Sequence, residues 1–218
     1  MSEPIDSPQY MSDMADLAGR VVANQVAGTR QLIAIVGAPG SGKSTLSDAL
    51  AEHINKGAPG SCAVVPMDGF HFDDAILEAR GTRARKGAPH TYDVDGLINL
   101  HGRLLAKPYA DIAVPVFDRS MELSRASARI IPASLQTILV EGNYLLLQQA
   151  PWDELRSFYD LTIMIDEPLS VLEQRLTKRW QHYGLEGEAF RAKMEGNDLP
   201  NARLVIETSA APDLFFSA

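Results

Sequence analysis

One stretch restricts the fold more than any other: Gly37, Ala38, Pro39, Gly40, Ser41, Gly42, Lys43, Ser44 and Thr45. It fits the spacing G-x-x-x-x-G-K-[ST] of a phosphate-binding loop. The apolar run Leu32–Val36 precedes it, and a helix-like pattern follows with Leu46, Ala49 and Leu50 on one face. Glycines let successive backbone N–H groups turn inward around a polyphosphate, where a Cβ would obstruct them. A helix N-terminus at the end of the loop adds unpaired donors and the positive end of a dipole. Lys43 is placed to reach the β- and γ-phosphates, and the Ser44 hydroxyl to ligate Mg²⁺. The plain alternative is a Gly-rich turn that contains Lys-Ser by accident. With Gly near 7% of residues, such a match is expected in well under ~5% of chains this long. The stretch therefore reads as a nucleotide site.

A chain of 218 residues is most simply one domain over 1–218 and can bury a substantial core. Its net charge of −8 argues against general nucleic-acid binding, which uses a basic surface. One cysteine, Cys62, excludes an internal disulfide and a cysteine-rich zinc site. The N-terminus lacks a basic segment leading into an apolar one, and no 18-residue apolar window occurs. A cytoplasmic protein with no membrane span is expected.

Strand-like and helix-like segments alternate, which predicts an α/β fold: a three-layer sandwich with a mainly parallel sheet and helices on both faces. Residues 1–9 are expected to fray. An amphipathic helix is predicted within Tyr10–Val26, making 1–28 a helical extension. Core strands are predicted over Gln31–Val36, Ser61–Met67, Ile112–Phe117, Gln136–Val140 and Thr162–Ile165. Pro115 marks the third of these as an edge strand or a strand end. Glu122–Arg129 is polar and gives no clear assignment. Helices are predicted from about Lys43, Asp93 and Leu169, with a short one over Ala189–Asn197 and a continuation to Thr208. A last strand is predicted at Asp213–Phe216, and the polar segment 180–197 reads as a small lid.

In parallel sheets ligands bind beyond the carboxyl ends of the strands. The phosphate loop, Asp68 and Glu141 each follow or end a predicted strand and should gather there. Asp68 is a candidate base for an acceptor hydroxyl or a Mg²⁺ contact; its plain role is a cap or turn. Glu141 ends the Ile138–Val140 run and is a candidate for Mg²⁺ beside Ser44. Arg80, Arg83, Arg85, Lys86 and His90 form a basic cluster that suits an anionic acceptor or phosphate, or simply faces solvent. Phe70, His71 and Tyr92 can rim an acceptor pocket or pack in the core. Arg175 and Arg179 share a helix face and can stabilise charge on a transferred phosphoryl group. Asp118-Arg119 can also face the acceptor.

Together the segments GAPGSGKST, MDGFHFDD, RKGAPHTYD, PVFDRS and ILVEGNYLL resemble the P-loop kinase group of uridine kinase, bacterial pantothenate kinase and phosphoribulokinase. The resemblance covers roughly residues 30–208. It is nearest to the pantothenate kinase-like branch and to small bacterial proteins labelled fructose transport system kinases. It implies ATP and Mg²⁺ as cofactors, a small-molecule acceptor with an alcohol group, and no nucleic-acid or membrane partner; it admits a homodimer. By the same resemblance Asp68 is the base, Glu141 the acid of the VEG segment, Arg175 and Arg179 the lid arginines, and Tyr92 and Asp93 lie near the acceptor; an anionic acceptor would suit the cluster of Arg83 and Lys86. A regulatory nucleotide switch or ATPase without an acceptor is the rival expectation.

Overall fold

The computed structural model of the chain describes residues 9–217. Apart from Gln9, the fraying expected of residues 1–9 falls outside the described residues. The chain runs β1 (Gln9–Met11), α1 (Met14–Ala23), β2 (Gln31–Val36), α2 (Lys43–Gly57), β3 (Cys62–Pro66), α3 (Asp74–Ala79), α4 (Val94–Leu105), β4 (Ile112–Asp118), β5 (Leu123–Ile131), β6 (Thr137–Gly142), β7 (Leu161–Ile165), α5 (Leu169–His182), α6 (Gly187–Lys193), α7 (Leu199–Thr208) and β8 (Leu214–Phe216).

Strands β1, β8, β7, β2, β6 and β3 lie side by side in that order, every pair parallel. β2 and β6 are buried at every position, as central strands covered on both faces must be. Alternate side chains serve opposite cores. Leu32, Ala34 and Val36 pack with residues of α4, α5 and α7, whereas Ile33 and Ile35 pack with α1 and α2. The result is the helix–sheet–helix sandwich that the alternating pattern predicts.

Two expectations need correction. Ile112–Phe117 is not a strand of the main sheet. As β4 it pairs antiparallel with β5 in a separate hairpin, and β5 contains the unassigned 122–129 stretch. The reason is local. Pro115 has no N–H to donate, and the register slips between Val114 and Val116. β5 alternates Ser, Arg and Ala with little buried surface, so it has no second face to offer a sandwich. Second, the N-terminal segment is more than a helical extension. β1 extends the sheet beside β8, and Leu17, Ala18 and Val21 of α1 are core residues.

The hairpin packs on the turn Met67–Phe70 that follows β3. Ser124 Oγ donates to the Gly69 carbonyl there, and Arg129 donates to the Val64 carbonyl. Gly69 has no room for a side chain: a Cβ would stand 2.7 Å from the Pro115 carbonyl oxygen. Backbone yields less than a side chain, so Gly69→Ala should destabilise the fold by about 1–3 kcal/mol in urea denaturation.

His101 of α4 is fully buried and titrates unusually low. Its Nδ1–H donates to the Leu97 carbonyl at 2.8 Å, and Nε2 accepts from the Tyr159 hydroxyl at 3.0 Å. Burial lowers its pKa from 6.5 to about 4, and does the same to His71. Unfolded imidazoles take up a proton near pH 6.5, while the folded ones resist until about 4. The unfolded state thus binds more protons in that window, and stability falls as pH drops through it. Roughly 3 kcal/mol per imidazole is at stake. Urea midpoints measured at pH 7 and pH 4.5 should differ accordingly; equal midpoints would contradict this account.

Candidate active site

The loop Gly37–Gly42 links β2 to α2, and Lys43 is the first residue of that helix. Gly42 adopts φ 94° and Gly40 φ 84°, left-handed values that a side chain strains. Register then sets the neighbours. β6 lies between β2 and β3, with Glu141 opposite Ile35 on one side and Pro66 on the other. The phosphate loop, Glu141 and Asp68 therefore leave three adjoining strands at one sheet edge.

The Ser44 hydroxyl bonds the Glu141 carboxylate, 3.0 Å from Oε2 and 3.2 Å from Oε1. Glu141 is 7% exposed. Burial raises its pKa, and Lys43 and the Ser44 hydroxyl oppose the rise. Lys43 shows the converse. Burial lowers its pKa, while the charges of Glu141 and Asp68 pull it back up. Lys43, Glu141 and Asp68 thus form one electrostatic group. Among the described residues no cluster of three or more His, Cys, Asp or Glu side chains forms a metal cage.

Asp68 sits in the turn after β3. Arg119 Nη2 donates to its Oδ2 at 2.9 Å, and the Tyr92 hydroxyl reaches toward Oδ1 at 3.4 Å. His71 stacks on Tyr92 with ring centroids 4.0 Å apart and tilts against Phe117 at 5.0 Å. A short antiparallel bridge joins His71 to Tyr92, so two segments distant in sequence build one wall. Behind that wall is a cavity of about 230 Å³ lined by Phe72, Tyr92, Asp93, Gln149, Pro151 and Trp152. A second cavity, about 170 Å³, adjoins Gly37 and Ser41 and is lined by Met164, Ile206 and Phe215.

Other candidates lie elsewhere. Arg83 Nε and Lys86 Nζ both contact the Asp74 carboxylate, each at 2.7 Å, and Lys86 is buried. They share the one Asp74 charge, and Lys86 also donates to the Glu122 carbonyl at 2.8 Å with the Glu122 carboxylate 3.7 Å away, so both cations already have acidic neighbours within the protein. Phe70 is packed against the main core. Asp93 caps α4, its Oδ1 accepting from Gly96 N at 3.0 Å. Arg175 is bound to the Ser41 carbonyl at 3.0 Å and Glu167 at 2.8 Å, so it braces the loop from outside. Arg179 is exposed, and its charge is felt at Lys43. The polar 180–197 segment is largely helical, ending in a π-turn at Met194–Asp198.

A crystal structure described as a "putative fructose transport system kinase" from Silicibacter matches with a TM-score of 0.87 at 39% identity, over 94% of this chain and 99% of that one. A Schizosaccharomyces pombe protein named a "putative uridine kinase" is 30% identical over 222 residues, 98% of this chain and 94% of its own length. The chain belongs to the uridine kinase-like P-loop kinases. An uncharacterized Escherichia coli protein, YggC, is 36% identical over 190 residues, 85% of this chain and 76% of its own. No protein-family model matches. This P-loop kinase is an ATP-dependent enzyme acting on small metabolites.

Sequence reasoning passed over one feature of this P-loop kinase. Asn197, Asp198 and Asn201 are buried polar residues around the π-turn. Asn197 Nδ2 donates to the Lys86 carbonyl at 2.9 Å, Arg85 donates to the Gly196 carbonyl at 2.8 Å, and Trp180 donates to Asp198 at 2.6 Å. These bonds stitch the basic segment to the 180–201 region. The signal was present in Glu195-Gly196-Asn197-Asp198, a polar run interrupting a helical pattern.

Proposed function

We propose that this kinase transfers the γ-phosphoryl group of ATP to an alcohol group of a small metabolite, with Asp68 orienting and deprotonating that alcohol. The acceptor oxygen bonds the γ-phosphorus, the bond to the β–γ bridging oxygen breaks, ADP leaves, and the hydroxyl proton passes to Asp68. Such transfers need mainly positioning and charge neutralisation. The observation that carries the reading is the meeting, at one edge of the sheet, of Lys43, the Ser44–Glu141 pair and the turn of Asp68, which follow or end the adjoining strands β2, β6 and β3.

Residues 37–45 cradle the triphosphate, and Lys43 faces its β- and γ-phosphates. The largely apolar cavity beside Gly37 suits the purine base. Ser44 and Glu141 offer hard oxygen donors, and burial keeps the Glu141 carboxyl raised despite Lys43 and the Ser44 hydroxyl, so the pair fits Mg²⁺ completed by nucleotide phosphates. When bound, that ion would neutralise charge on the phosphates. Arg179 covers the transferred group; Arg175 holds the loop instead, since reaching further would break both of its contacts. Tyr92 and His71 wall the acceptor. We also assign the protein to the cytoplasm, where ATP is plentiful; among the described residues no helix is long and apolar enough to cross a membrane.

The test is ADP release with ATP and Mg²⁺ against a panel of pantothenate, sugars, nucleosides and hydroxy acids. One acceptor class should stimulate release and yield a phosphorylated product. Slow hydrolysis that no acceptor stimulates, together with nucleotide-dependent capture of a protein partner, would favour the switch.

A further inference from the structure

We propose that the acceptor carries an anionic group, a carboxylate or a phosphate, and that Arg119 binds it; this rests on the assignment of Asp68 as the acceptor's base. Arg119 stands in the turn between β4 and β5, its side chain 71% exposed, with Asp68 as its ion-pair partner at 2.9 Å. The turn is built to present it. Asp118 Oδ1 accepts from the Ser120 hydroxyl at 2.6 Å, Ser120 N at 3.1 Å and Met121 N at 3.3 Å, fixing the backbone on either side of Arg119.

The other cations of this region are committed. Arg83 and Lys86 share Asp74, Lys86 also holds Glu122, Arg125 binds the second Asp118 oxygen, Arg129 binds the Val64 carbonyl, and Arg80 covers the Phe72 ring. Arg119 differs from them in that its partner is the reacting carboxylate. The guanidinium occupies the carboxylate oxygen that an incoming hydroxyl would approach. The pair as it stands therefore opposes proton transfer. An exposed ion pair is weakly held and exchanges readily. An acceptor anion offers the guanidinium fork a bidentate partner, drawing it off Asp68 while the hydroxyl takes its place. The anion thus selects the acceptor and frees the base in one exchange. Arg119 is a specificity residue through the anion and a positioning residue for Asp68.

The experiment uses matched acceptors: glycerol, D-glycerate and glycerol 3-phosphate; ribose and ribose 5-phosphate; fructose and fructose 6-phosphate. Binding is measured by calorimetry with the phosphate loop filled by a non-hydrolysable ATP analogue and Mg²⁺, so that anions cannot occupy it. At least one anionic member should bind on the order of 10-fold or more tighter than its neutral partner. In Arg119→Gln that preference should vanish, in Arg119→Lys part of it should persist, and affinity for the ATP analogue should change less than about 3-fold. Carboxylate and phosphate members tell the two anions apart. Equal binding of neutral and anionic members, an unaltered preference in Arg119→Gln, or a loss confined to the ATP analogue would overturn the proposal. Binding decides this inference whether or not turnover follows; absence of turnover with every acceptor counts against the kinase chemistry itself. Arg119 is exposed, so its substitution leaves folding intact.

Discussion

Asp68→Asn is expected to lower turnover on the acceptor by about 10³-fold while ATP affinity stays within a factor of about 2. The substitution is nearly isosteric. The amide oxygen can still accept from Arg119, and the amide nitrogen that replaces the other oxygen can donate to the Tyr92 hydroxyl, so the turn after β3 keeps both partners. What disappears is the negative charge and the capacity to take a proton. Because the transition state of phosphoryl transfer is loose, part of the loss comes from misorientation of the acceptor and part from the missing base. Asp68 also supports the charged form of Lys43, but Glu141 supports it more strongly, so the triphosphate keeps its lysine. Steady-state ADP release and calorimetric titration of an ATP analogue separate the two effects. Turnover within tenfold of wild type would remove Asp68 from the role of base.

Lys43→Ala should act differently, weakening ATP binding and turnover together, with kcat/KM for ATP reduced by about 10³-fold. The ammonium is the cation at the loop itself, and a fixed charge beside a phosphoryl group in transit is worth about 4 kcal/mol at that fold-change. Its loss also reaches Glu141. That carboxyl is already raised by burial, and Lys43 is the leading influence holding it down. Without Lys43, Glu141 takes up a proton at a higher pH, and its value as an oxygen donor falls. The Mg²⁺ dependence of any residual activity should therefore move to higher concentration and higher pH. A Lys43→Ala enzyme with unchanged kinetics would show that the triphosphate lies elsewhere. The two variants form a pair: one damages the acceptor side alone, the other the donor side and the cation.

The sequence by itself determined the donor half of this protein. A loop of nine residues between an apolar strand and a helix has few physical uses, since its glycines, lysine and hydroxyl each meet a distinct demand of a polyphosphate. The alternation of short apolar runs with amphipathic helices determined a layered α/β fold, because a strand covered on both faces must be apolar throughout. The ends of those apolar runs located Asp68 just after one strand and Glu141 at the end of another. Tertiary structure decided what the pattern leaves open. Strand order is one such matter: β6 inserts between β2 and β3, and only that insertion puts Glu141 beside both Ser44 and the turn of Asp68. Pairing of cations is another. Arg83, Lys86, Arg119 and Arg175 look equivalent in sequence, but long side chains choose partners in space. Asp74 claims the first two, Ser41 and Glu167 the last, and Asp68 holds Arg119. Ile112–Asp118 has the composition of a core strand, yet the proline in it and the polar partner that follows send it into a hairpin over the acceptor side. The reason is common to all three: periodicity reports what one segment needs to bury, while a site depends on which segments meet.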